Sequence, residues 1–87
     1  LGMFTYRTLK DIEGLRETQV IQQDYADFEV NCVVALGADP SKTHEKIKEA
    51  FERALGYSIR LHFNNVEKIP RGPNGKVRLV ISKIPRN

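Results

Sequence analysis

The chain has 87 residues, 29% of them charged and 40% hydrophobic, with a net charge of +3. That is one small globular domain, not a disordered segment. No apolar run nears the roughly 20 residues of a membrane span, and no signal-peptide pattern opens the chain.

The first predicted element is a short helix over "TLKDIEGLRE", residues 8–17. Thr8 can cap it, and Leu9, Ile12 and Leu15 recur every third residue, while Gly14 weakens it and can end it early. "TQVIQQ", 18–23, reads as a strand with Val20 and Ile21 on opposite faces. After the turn "DYAD", "FEVNCVVAL", 28–36, is the clearest strand. Phe28, Val30, Cys32, Val34 and Leu36 share one face at period two. A short polar turn between these strands predicts an antiparallel hairpin.

"GADP" breaks the pattern at 37–40. Asp39 can cap a helix whose first position is Pro40, where a missing N–H costs nothing. That helix is predicted to run to Leu55, with Ile47, Ala50, Phe51, Ala54 and Leu55 as its apolar stripe and Gly56 at the C-cap. "YSIRLHFNNV", 57–66, follows as a strand, with Ile59, Leu61 and Phe63 inward and Arg60, His62 and Asn64 outward. "VRLVI", 77–81, is the last strand. The order predicts an α+β fold: an antiparallel or mixed sheet of three to four strands, with two helices packed on one face.

Several chemistries find no support. His44 and His62 have no partners at metal-ligand spacing. Ser41, Ser58 and Ser82 sit in caps and strands, with no base and acid set around them. Cys32 lies in an apolar run and reads as a small buried hydrophobe; as a lone cysteine it fits a reducing, cytoplasmic setting. "GPNG", 72–75, matches the GxxG loop of a KH domain in form, but its flanks read as strands. It is no P-loop either, since Val77 stands where magnesium chemistry needs a hydroxyl. Phe28, Phe51 and Phe63 are on core stripes, and the other aromatics are in turns, caps or the N-terminal segment. An exposed base-stacking pair is therefore not expected, and nucleic acid is disfavoured as a partner.

Charge distribution is more informative. Residues 68–87 hold Lys68, Arg71, Lys76, Arg78, Lys83 and Arg86 and no acid, a local +6, whereas residues 1–67 carry a net −3. Such an end favours an anion, with phosphate the obvious candidate. Within it, Asn74 and Gly75 signal a tight turn because both tolerate positive φ. Pro70 and Pro73 stiffen the approach. Lys76 would stand just outside this turn, with Arg71 and Arg78 near it.

The ordered run Val66 to Arg78, "VEKIPRGPNGKVR", resembles the last core motif of the adenylate-forming (AMP-binding) enzyme superfamily. "IEGLRETQVIQQ" (12–23) and "HEKIKEAFERALGYSIRLHFNNVEKIPR" (44–71) are similar to phenylacetate–CoA ligase-like proteins, including those of capsular polysaccharide biosynthesis. The resemblance covers nearly the whole chain. It implies a mobile C-terminal lid of an acyl-adenylating ligase, whose catalytic lysine would be Lys76. Pro73, Asn74 and Gly75 would shape its turn, and Arg71 and Arg78 would be supporting cations. ATP or AMP with magnesium, and CoA or another acceptor, would be bound by the full-length enzyme and not by this piece. The partners implied are an N-terminal domain of the same enzyme and, through it, a carboxylic acid and ATP. An ammonium about 4 Å from the charge that builds on phosphate contributes roughly 4 kcal/mol at an effective dielectric near 20. The superfamily's hinge residue and Gly-rich phosphate loop have no counterpart here. The opening "LGM" and these gaps lead to the expectation of a fragment, residues 1–87 being one C-terminal domain without activity of its own. The alternative is a stand-alone α+β module that binds phosphate or nucleic acid through its basic end.

Overall fold

A computed structural model describes residues 7–72, 75 and 80–84. A first helix, α1, is described over residues 7–9. Strands β1 (Leu15–Asp24) and β2 (Asp27–Val34) follow, then helix α2 (Pro40–Leu55), β3 (Arg60–Asn65) and β4 (Val80–Ser82). The four strands form one mixed sheet in the order β3-β2-β1-β4. β1 and β2 make the antiparallel hairpin, while β3 runs parallel to β2 and β4 parallel to β1. This is the expected α+β fold.

The core follows from the period-two pattern of the strands and the stripe of α2. Leu9 of α1 and Ile47 and Phe51 of α2 meet Val20, Phe28 and Ile59 in one buried cluster. Both helices thus cover the same face of the sheet. The rings of Phe28 and Phe51 lie 5.8 Å apart and tilted, and neither side chain retains appreciable exposure. Each such burial stabilises by roughly 1.5–3 kcal/mol. Ile12, Leu15, Leu55, Leu61 and Phe63 close the rim of the cluster.

Helix α2 occupies the predicted residues. The Asp39 carboxylate accepts from Ser41 N–H at 3.0 Å, and Gly56 takes φ 82°, its N–H bonding Glu52 O. Elsewhere the boundaries move. The helix expected over 8–17 gives way to strand from Leu15 onward, because Leu15 pairs with Val34 and Gly14 turns the chain at φ 86°. Leu36, expected inward, is fully exposed. The ladder ends at Val34, Ala35 N–H donates to Gly14 O, and Gly37 at φ 86° turns the chain toward α2. Ala54 likewise faces solvent. Tyr57 and Ser58 precede β3 rather than joining it. No helix among the described residues is long and apolar enough to cross a membrane.

Candidate functional site

The basic end begins where β3 stops. Val66 N–H still bonds Cys32 O, and then the chain leaves the ladder. Ile69 is fully buried. Two residues on, Arg71 is exposed, with its Nη2 donating to Glu17 Oε1 at 3.4 Å. Gly75 has φ 76°, and its N–H donates to Gly72 O at 2.9 Å. A bond from the fourth residue of a turn to the first makes Gly75 the closing residue, where glycine is favoured. The bond thus marks a turn that closes at Gly75.

It is not a hairpin turn. β3 and β4 are the two edges of the sheet, with β2 and β1 between them. Asn65, the last residue of β3, and Val80, the first of β4, thus belong to strands three spacings apart, roughly 14 Å. A turn sequence does not say which strand the chain meets next. Of the predicted site residues, the structure places Arg71 and Gly75. Lys76, Pro73, Asn74 and Arg78 lie outside the described residues. Beyond them, Val80–Ser82 pairs with Val20–Gln22, and Lys83 N–H donates to Gln22 O at 2.8 Å.

The other candidates resolve into structural roles. His44 of α2 stacks on Phe63, with centroids 4.1 Å apart and planes 4° from parallel. Its Nε2 meets Asn65 Oδ1 at 2.8 Å. His62 Nε2 lies 3.3 Å from Asp27 Oδ1 at the far end of β3. Among the described residues no three His, Cys, Asp or Glu side chains gather to hold a metal ion. Cys32 is buried, and burial pushes its thiol up from 9.0 to about 11. Tyr25 and Tyr57 are exposed, at the β1–β2 turn and between α2 and β3; the Tyr57 hydroxyl donates to Tyr25 O at 3.0 Å. A depression of about 410 Å³ beside Gly14 and the start of α2 includes Lys42 and Lys46. Lys46 is already paired there with Glu13 at 3.3 Å.

Glu17 and Ile69 escaped the sequence reading. Glu17 falls within the predicted helix, and Ile69 within the motif that runs from Val66 to Arg78. No local signal marks either, since both depend on what crosses the sheet.

The family model of the CapK C-terminal domain matches residues 3–83. Protein CapK of Staphylococcus aureus is 34% identical over 68 residues, which is 78% of this chain and 15% of that protein. The chain thus spans about 15% of the length of the curated relative it matches. These matches overturn the assignment to the adenylate-forming superfamily and its phenylacetate–CoA ligase-like branch, and with it the ligase and AMP-binding description. That assignment leaned on a short Gly-Lys motif and a helix, glycine, strand order, which an α+β domain of another family can share. The match over 3–83 shows that the chain belongs to the CapK C-terminal domain family.

Proposed function

We propose that the domain serves as a lid within a longer polypeptide. In this reading it delivers Lys76 to a site on a larger N-terminal domain where ATP activates a carboxylate. The observation that carries it is the acid-free basic end, six cations within residues 68–87. The proposal rests on those residues and not on membership of any ATP-using family. Attack of a carboxylate on a phosphate gathers negative charge, and a compact ammonium suits that charge. ATP, magnesium, the acid and the acceptor are assigned in this reading to the larger domain, and the cytoplasm is the compartment that supplies ATP.

The test is Lys76→Ala in the full-length protein, read by exchange of pyrophosphate into ATP. A loss of about 10³-fold is expected from one electrostatic contact of roughly 4 kcal/mol. Exchange near the parental rate would overturn the reading.

The same basic end supports a second reading, a module that holds phosphate or nucleic acid on its own. Binding of the 87 residues to RNA that weakens steeply between 50 and 200 mM salt, as backbone contacts do, would favour it.

A further inference from the structure

Strand β3 is an edge of the sheet, with β2 on one side and no strand among the described residues on the other. Arg60 N–H donates to Ala26 O and Val66 N–H to Cys32 O. In this parallel ladder the even-numbered residues from 60 to 66 therefore turn their backbone toward β2. Leu61, Phe63 and Asn65 turn theirs away. Among the described residues no backbone group pairs with them there. On the core side, Leu61 and Phe63 are only half-buried, at the rim of the cluster. An open backbone edge and an open apolar rim thus coincide.

The opposite edge is blunted in ways that edge strands use. β4 has three residues, and Lys83 and Pro85 follow it in sequence. β3 has six residues and contains neither lysine nor proline. Its basic side chains, Arg60 and His62, alternate with core-facing Leu61 and Phe63 and so lie on the outer face.

A strand that joins this edge must set no further cation against Arg60 or His62. A second copy of β3 meets that condition. The stretch from Arg60 to Val66 is centred on Phe63. In an antiparallel pair with its two-fold axis there, Phe63 meets Phe63 and Leu61 meets Asn65. On the outer face His62 meets Asn64 and Arg60 meets Val66. The outward backbone groups then make about six main-chain hydrogen bonds, and no two basic side chains stand opposite each other. An isologous contact requires such self-complementarity.

We propose that β3 is a self-association edge: two copies of the domain pair antiparallel through Leu61, Phe63 and Asn65 and join their sheets into one. The main-chain bonds hold the pair, and the half-buried rims of the two cores meet along it.

The 87-residue chain is tested by sedimentation equilibrium from about 10 µM to about 1 mM, the range suited to a small interface. The mass should rise from monomer toward dimer. Over the same range, amide exchange followed by NMR should slow about fivefold or more at Leu61, Phe63 and Asn65. It should stay unchanged at His62 and Asn64, whose N–H groups already face β2. Two substitutions carry opposite signs. Val66→Glu stands opposite Arg60 of the second copy and should tighten the dimer about twofold to thirtyfold. Val66→Arg sets like charges there and should loosen it by a similar factor. A purely structural role for Val66 would move both variants the same way. A monomeric mass throughout overturns the proposal. So does a dimer whose Leu61, Phe63 and Asn65 amides exchange as in the monomer, or a pair of variants that shift affinity in the same direction.

Discussion

Cys32 has its sulfur within 3.6–3.9 Å of Val30 O, Asn64 O and Asn65 Oδ1 and no exposed surface. With the thiol held near pH 11, it should resist iodoacetamide at pH 8 in the folded chain and react after denaturation, as intact mass would show. The linkage has a definite sign. The neutral thiol's contribution to stability is whole below the ordinary value of 9.0 and is lost as pH climbs toward 11. The Cys32 reading was legible because a cysteine in an apolar strand has one plain meaning. Gly14 was legible as a breaker and nothing more. Its φ of 86° and the position of Thr43 Oγ1, 2.8 Å from where a Cβ would stand, belong to the packed fold. Gly14→Ala should cost about 1–3 kcal/mol, seen as a lower urea midpoint at unchanged slope.

At the scale of elements, α2 was readable from end to end because its caps are local chemistry. Asp39, Pro40 and Gly56 each act on backbone within a turn of themselves. Asp39→Ala should remove about 1 kcal/mol, measurable by chemical denaturation, while Asp39→Asn should change little. The first helix was misread for the opposite reason. Leu9, Ile12 and Leu15 fit a helical spacing, yet Leu15 gains a strand partner in Val34, and pairing across the hairpin outweighs a weak local preference. The basic turn shows the same limit. Its composition announced a bend, but the partner of β4 is β1, some sixty residues earlier in the chain, and no local pattern encodes that distance.

For the whole molecule, the cluster of Leu9, Val20, Phe28, Ile47, Phe51 and Ile59 joins both helices to the sheet. Chains of this size are stable by roughly 4–13 kcal/mol. Phe51→Ala, which removes the ring against Phe28, should cost about 3–5 kcal/mol and leave a large unfolded fraction on warming, visible by circular dichroism. The strand order has a consequence in time. β1 is synthesised before β4, and β2 pairs one side of it within a few residues. Its other side waits for β4, whose last residue is Ser82, about 60 residues behind Asp24. At roughly 5–20 residues per second that is about 3–12 s. For those seconds the second strand of the finished sheet's interior is an open edge, able to recruit any extended segment nearby. A nascent chain stalled before Val80 should therefore self-associate, and synthesis through Ser82 should end that hazard by occupying the edge from within.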